Sequence, residues 1–246
     1  MAEKHFFEQE NYTNEYFLPY FKDNITAASG EKFKVLEVGC AEGGFLAVMN
    51  AKGFDVKGVE ISAGRVSIAK KKLKDDIEVV IGDVSDASTL DFSQQYDLVV
   101  LRDVIEHVSD QQSALDNIYK LVKDQGHLFI TFPLKHSPYA GHQQSAKSGL
   151  KYIWFITLFP AFIIKILCNL FNDESQYEEI IYLKKHALTY ARLNRMLAGK
   201  WKYIRKDFYI SRPIYKIRFG WKIIKSLNVP IIREVSNGCE VLAQKC

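Results

Sequence analysis

Paired cysteines are missing from this chain. Cys40, Cys168, Cys239 and Cys246 are widely scattered with no C-x-x-C pair, so neither a disulfide framework nor a thiolate zinc site is expected. No internal repeat or low-complexity tract occurs. The first residues, Met1-Ala-Glu-Lys-His5, hold no apolar run, so no signal peptide is expected and a reducing, cytoplasmic location follows. A membrane-spanning run is also lacking. Leu150–Phe171 is strongly apolar, but Lys151 and Lys165 bracket 13 uncharged residues and Pro160 interrupts them, which is too short and broken for a spanning helix. What remains is ordinary globular usage: 48% hydrophobic and 25% charged residues in 246. That excludes a disordered or fibrous chain and suits one α/β domain, with or without an insertion.

The net charge of +4 hides a split. Residues 1–150 carry 16 Lys+Arg and 22 Asp+Glu, net −6, whereas residues 151–246 carry 17 and 7, net +10. A basic second part on an acidic first part points to different jobs, with an anionic or membrane-surface partner as one reading and solvated helix faces as the other.

From residue 34 onward, short apolar strands alternate with longer amphipathic segments. Lys34–Val38, Phe54–Ile61, Ile77–Ile81, Tyr96–Leu101 and His127–Phe132 read as five strands, the last stopped by Pro133. Helices are expected over Gly43–Ala51, from a Ser62 cap through Lys74, and from a Ser109–Gln112 capping box to near Gly126. Such alternation implies right-handed βαβ crossovers, a doubly wound parallel sheet, and a ligand site beyond the carboxyl ends of the strands. Residues 1–30 read as an N-terminal helical arm, 31–133 as the ligand-binding core, 134–200 as a helical insertion over the acceptor site, and 201–246 as closing strands. A short helix is expected over 186–198, and strands over Trp201–Ile210 and Gly238–Lys245.

The sharpest signal is the run Val35-Leu-Glu-Val-Gly-Cys-Ala-Glu-Gly-Gly-Phe45. Gly39 lets the chain turn off the first strand. Gly43 and Gly44 open the next helix, whose first amides are expected to be free donors. Glu37 sits near the strand end. Glu60 closes the second strand 21 residues beyond Gly39, where a carboxylate can take both hydroxyls of a ribose. Asp83, in Gly82-Asp-Val84, is placed for an adenine amino group or is simply a turn aspartate. Arg102-Asp103 follow the fourth strand.

These residues, with Tyr96-Asp-Leu-Val-Val-Leu-Arg-Asp-Val-Ile-Glu-His-Val108, resemble the class I S-adenosylmethionine-dependent methyltransferases. The last segment is very like the D-V-x-E-H-V signature of their small-molecule, ubiquinone-type O-methyltransferase branch. The resemblance covers residues 33–133; Ala41 departs from a common middle glycine. It implies an α/β, mostly parallel, seven-stranded Rossmann-like sheet with an antiparallel last strand and a helical insertion before the last two strands. It also implies S-adenosylmethionine as cofactor. Glu37, Gly39, Cys40, Ala41 and Gly43 would line its methionine and ribose, Glu60 would hold the ribose, and Ile61, Asp83 and Val84 would meet the adenine. Arg102 would offer backbone near the methionine amino group. A nicotinamide-dependent oxidoreductase is the rival, but G-C-A-E-G-G lacks the second glycine of G-x-G-x-x-G, and a pyrophosphate would meet Glu37 and Glu42. A non-catalytic adenosyl-cofactor-binding or interaction protein is the alternative from another class.

Methyl transfer from a sulfonium is an in-line displacement, and an oxygen acceptor must also lose its proton. His142, in the loop after strand five, is the expected general base, with His107 the second catalytic candidate or a structural hydrogen-bonding group. Asp103, Glu106 and His107 have helical i, i+3, i+4 spacing. With His142 they resemble the E-x-x-E-H plus histidine metal set of ubiquinone-biosynthesis and small-RNA 2′-O-methyltransferases, except that Asp103 is one methylene shorter. A divalent metal is allowed by these ligand types and is not favoured. Leu150–Phe171 is either a lid or a surface element, with Trp154, Phe155, Phe159 and Phe162 meeting lipid. With the basic, aromatic stretch of residues 205–225, it favours a small or lipid-linked acceptor and peripheral contact on the inner membrane face. No nucleic-acid module is recognisable.

Overall fold

In the computed structural model, residues 2–25, 33–74 and 76–246 are described. The expected boundary between arm and core at residues 30 and 31 lies outside them. The chain opens with α1 (Ala2–Tyr12), a π-helical turn over Thr13–Phe17, and α2 (Leu18–Asn24). The core follows as β1 (Lys34–Val38), α3 (Gly44–Ala51), β2 (Asp55–Glu60), α4 (Ala63–Leu73), β3 (Glu78–Ile81), β4 (Tyr96–Arg102), α5 (Gln111–Leu121) and β5 (Val122–Phe132). Then come α6 (Ala161–Leu170), α7 (Ser175–His186), α8 (Tyr190–Leu197), β6 (Trp201–Ser211), α9 (Pro213–Phe219), β7 (Ile224–Lys225), α10 (Pro230–Glu234) and β8 (Gly238–Lys245).

One sheet contains every strand, in the order β3-β2-β1-β4-β5-β8-β6-β7. The first five are mutually parallel, and β8 enters antiparallel between β5 and β6. The order reverses between β1 and β4, which puts the ligand-binding crevice above their carboxyl ends. The sheet has eight strands rather than the seven implied by resemblance. The extra one is β7, two residues pairing with the β6 edge. Apolar residues on both faces bury the centre of the sheet: Leu36, Val38, Val99 and Leu101 on one side, Val35, Leu98, Val100 and Phe129 on the other. Each such side chain contributes on the order of 1.5–3 kcal/mol.

Two expected helix boundaries are corrected. Asp110, not Ser109, caps α5, its side chain accepting from the Ser113 amide at 3.0 Å. The helix also ends at Leu121 rather than near Gly126, because Val122 already pairs with Tyr96 in the sheet. In the insertion, α7 was hidden from periodicity by its mixed charge, and Leu150–Phe171 is two 3-10 turns followed by α6. Its inward side chains Leu150, Ile156, Ile164 and Cys168 form a small core with Ile180 of α7.

Candidate functional site

A cavity of about 790 Å³ lies above the carboxyl ends of β1, β2 and β4, within the size range of small-molecule sites. Gly39, Ala41, Glu60, Ile61, Asp83, Val84 and Arg102 line it, as does His107. Gly39 has φ +70°, and a Cβ there would lie 2.3 Å from Val104 Cγ2, so only glycine turns the chain here. Glu60 is buried; its Oε2 accepts from the Ala41 amide at 3.0 Å and its Oε1 from the Ser62 amide at 2.9 Å. Each oxygen keeps a further lone pair for a ligand hydroxyl. Ile61 is 67% exposed beside it, an apolar face open to the cavity. Asp83 Oδ1 accepts from the Ser85 amide and hydroxyl, so the aspartate is tied into its own turn.

Three expected contacts are not on the cavity wall. Cys40 points into the core under β2, with its Sγ 2.7 Å from where a Gly58 Cβ would stand. Gly43, at φ +85°, is required by Leu73, whose Cδ1 would meet a Cβ at 2.9 Å. Glu37 is fully buried behind Arg102, which donates from Nε at 2.9 Å and from a terminal nitrogen to the same Oε1. Burial pushes the Glu37 carboxyl up to about 7, against the pull of that guanidinium. Arg102 thus lines the cavity while its guanidinium packs against Glu37 and over the buried Phe17 and Phe45 rings.

The N-terminal amides of α3 are not all free donors, as the glycines suggested. Gln9 Oε1 in α1 accepts from the Gly44 amide at 2.9 Å, and a Gly44 Cβ would lie 2.4 Å from the Phe6 carbonyl oxygen. Gly44 is there for the close approach of α1. The arm rather than the insertion forms most of the roof: His5, Glu8, Gln9 and Tyr12 all line the cavity, while the 134–200 segment contributes Tyr182. Arg218 of α9 clamps the arm through two bonds to Glu8, at 2.9 and 2.7 Å.

The acid–histidine constellation is rearranged too. Ile105–His107 is a 3-10 turn, not an α-helical face, and Asp103 at φ +55° turns away from it. Asp103 Oδ1 accepts from Arg212 and, at 3.2 Å, from the Thr131 hydroxyl. Burial opposes ionisation of Asp103, but Arg212 outweighs it and holds the carboxyl below its ordinary value. Glu106, His107 and His142 remain together, with ligand atoms within 4.8 Å of one another. Both Glu106 oxygens are buried without a hydrogen-bond partner among the described residues, and burial raises that carboxyl well above its ordinary range. His142 packs edge-on against His107 with ring centroids 5.1 Å apart. Burial pushes the His142 imidazole down to about 4, and burial lowers that of His107 as well. His107 faces the cavity; His142 stands one ring behind it and is not on the wall. Tyr182 fixes the turn by donating its hydroxyl to the His107 carbonyl at 2.7 Å.

Gln9, Thr131, Tyr182, Arg212 and Arg218 escaped the sequence reading as site residues. Arg212 and Arg218 stood out there only as part of a basic tail. No local pattern marks any of the five, because each reaches the site from an element distant in sequence.

Comparison with known proteins agrees with this geometry. The family described as Methyltransferase domain matches residues 10–207. The ubiquinone biosynthesis O-methyltransferase of Salmonella paratyphi A is 34% identical over 111 residues, 44% of this chain and 46% of that protein. The malonyl-[acyl-carrier protein] O-methyltransferase of Priestia megaterium is 28% identical over 130 residues, 49% of this chain and 45% of that one. The chain thus spans about half the length of the curated relatives it matches. The plantazolicin methyltransferase BamL, solved with a triazolic desmethylPZN analog and SAH, superposes with a TM-score of 0.63 at 14% identity, over 99% of this chain and 87% of that one. The related BpumL complex with a pentazolic analog and SAH gives 0.62 at 12% identity, over 97% and 85%. The architecture is the Rossmann-like methyltransferase fold, and the chain belongs to the methyltransferase-domain family.

Proposed function

We propose that this chain transfers the methyl group of S-adenosylmethionine to an oxygen of a small or lipid-linked acceptor. The observation that carries this reading is the single cavity whose wall runs from Gly39, Glu60, Ile61, Asp83 and Val84 to His107. Glu60, already oriented by two backbone amides, takes the ribose hydroxyls. Ile61 and Val84 hold the adenine faces, and Asp83 its edge. The methyl group then points toward the His107 end, where the acceptor is aligned for in-line displacement. His107, facing the cavity, receives the acceptor proton. His142 packs on the His107 ring from behind and keeps it in place, so the two exchange the prominence that sequence alone gave them.

The test is calorimetric titration with S-adenosylhomocysteine, with NAD as control and Glu60→Ala beside the native chain. Binding that is lost in the variant and absent for NAD supports the reading. NAD binding instead returns the oxidoreductase alternative. Cofactor binding without turnover on a broad acceptor panel leaves a non-catalytic cofactor-binding protein.

A divalent cation is a second reading, favoured by buried Glu106, whose two oxygens take no hydrogen bond among the described residues while Oε1 stands 3.8 Å from His142 Nε2. One carboxylate and two imidazoles are a suitable donor set, and Glu106, His107 and His142 would hold the ion without Asp103. Such an ion would supply Lewis acidity to an acceptor oxygen. Titration with Mg²⁺, Mn²⁺ and Zn²⁺ against His142→Ala tests it.

Peripheral attachment to the inner membrane face is the matching proposal for acceptor delivery. No helix among the described residues is long and apolar enough to cross a membrane. Yet Trp154 and Phe162 are 60% and 64% exposed, and Ile166 and Leu170 point outward from α6 beside Lys165. A helix so built suits a lipid interface. Anionic liposomes should co-sediment the native chain and not the double variant Trp154→Ser, Phe162→Ser; equal sedimentation refutes the attachment.

A further inference from the structure

A second cavity, of about 320 Å³, opens on the sheet face that α5 covers, beside the segment joining β3 to β4. That volume is at the lower end of the range for small-molecule sites. Its lining is apolar at Leu36, Val59, Val80, Leu90 and Leu121. The polar part is confined to a few groups. Tyr96 lines the cavity while only 3% exposed, and its hydroxyl makes no hydrogen bond among the described residues. Burial, with Glu78 and Asp91 nearby, pushes that phenol up to about 12, so it stays neutral. Lys57, also buried, lies 2.8 Å from Glu78 Oε1 and 3.8 Å from Asp91 Oδ2. Two carboxylates thus meet one ammonium, and the polar end keeps a negative charge in excess.

The segment between β3 and β4 serves both cavities. Its first residues, Gly82–Ser85, line the larger one, and Ser88–Asp91 line the second. Val59 lines both. The two halves of the segment are bound to each other. Thr89 Oγ1 accepts from the Asp83 amide at 2.9 Å. A Cβ at Gly82 would stand 3.1 Å from the Thr89 carbonyl oxygen and 3.0 Å from Val59 Cγ1, so the start of the segment has no slack against its end. Asn117 of α5 also donates to the Val84 carbonyl at 3.0 Å. Between these ties, Asp86–Thr89 are exposed. An occupant of the second cavity touches Ser88–Asp91 in the arrangement that presents Asp83 and Val84 to the first, and so shifts the segment toward it.

We propose that the second cavity is an effector site for a small amphipathic amine, whose occupation tightens binding in the first. The alkyl part lies on the apolar lining, and the ammonium meets Glu78, Asp91 and the Tyr96 hydroxyl. An anion would face the two carboxylates, with Lys57 already taken by them. A wholly apolar ligand would leave the Tyr96 hydroxyl without a partner. Through Thr89, the occupant holds Asp83 and Val84 in place. The coupling is reciprocal, so a ligand in the first cavity tightens the amine by the same factor. The amine site is independent of the methyl-transfer reading; the coupling, read with S-adenosylhomocysteine, rests on it.

The test titrates the full chain with n-hexylamine and, for comparison, hexanoate, following methyl NMR signals, and then measures S-adenosylhomocysteine affinity by calorimetry with and without saturating hexylamine. Hexylamine should shift the methyl signals of Val80, Leu90 and Leu121 and outbind hexanoate. It should raise S-adenosylhomocysteine affinity about five-fold, the lower end of typical coupling between sites. Leu90→Trp, which fills the cavity, should abolish both effects. Tyr96→Phe should weaken hexylamine about 3- to 10-fold, as loss of one hydrogen bond requires. If Leu90→Trp does not fold, Tyr96→Phe and the two ligands on the native chain carry the test. Unmoved Val80, Leu90 and Leu121 signals, or hexanoate binding as tightly as hexylamine, overturn the site. Unchanged or weakened S-adenosylhomocysteine affinity at saturating hexylamine overturns the coupling, the weakened case placing the amine in the first cavity. Absence of S-adenosylhomocysteine binding overturns the cofactor reading and the coupling with it, while the methyl shifts still decide whether the amine site exists.

Discussion

Glu240 offers a sharp test of the packing between arm and sheet. It lies in β8, buried, and receives the Tyr16 hydroxyl at 2.6 Å and the Tyr209 hydroxyl at 3.1 Å. Tyr16 belongs to the arm, so this carboxyl ties the cavity roof to the sheet. Burial pushes its pKa from 4.5 up to about 7, outweighing the two hydroxyls and Arg212. Below 4.5 the group is protonated in both folded and unfolded chains. Between 4.5 and 7 the unfolded chain releases the proton first, so stability falls as pH rises and levels off above 7. That displacement corresponds to about 3 kcal/mol, most of it, about 2 to 3 kcal/mol, lost between pH 5 and pH 8. Glu240→Gln keeps an acceptor for the tyrosines and cannot ionise. Its cost from an amide buried among those hydroxyls is constant with pH. Urea-unfolding midpoints of both chains at pH 5 and pH 8 therefore isolate the proton. Relative to native, the variant should gain about 2 to 3 kcal/mol on going from pH 5 to pH 8. Glu37 titrates in the same window but is present in both chains and cancels. An equal offset at the two pH values would refute the argument, since it would mean that the folded Glu240 carboxyl ionises as it does in water.

Other outcomes follow from single contacts. Gly39→Ala should lose several kcal/mol, readable by thermal melting, because its Cβ would stand 2.3 Å from Val104 at φ +70°. Gln9→Ala leaves the Gly44 amide without its 2.9 Å acceptor and should cost about 1–3 kcal/mol by urea unfolding. His107→Ala should lower kcat by about 10²- to 10⁴-fold with S-adenosylhomocysteine binding retained, whereas His142→Ala should lower it less; the reverse order would return the base to His142.

The legible parts of this protein share one property: their signals are local. The run Lys34–Val38 followed by Gly39 specified a buried strand and its turn because strand burial and positive φ are decided within a few residues. The same holds for Glu60 at the end of β2 and the capping of α4 by Ser62, whose side chain accepts from the Arg65 amide. Boundaries set by pairing were less visible. Val122 joins β5 because Tyr96 lies opposite it, which no cap or period around residue 122 announces.

The sequence by itself therefore determined the alternating core, the place of the cavity and several residues of its wall, since strand period and turn chemistry act at short range. Only the tertiary structure decided what each charge does. Asp103 has the spacing of a metal ligand, yet Arg212, 109 residues away, draws it into an ion pair. Gly44 opens a helix whose first amides read as free donors, yet α1 occupies the space beside it. His107 lines the cavity and His142 does not, a placement that depends on how the loop after β5 packs on the 105–107 turn. A buried charge is satisfied by whichever opposite group the fold brings within reach, and that neighbour is set by topology rather than by its own segment.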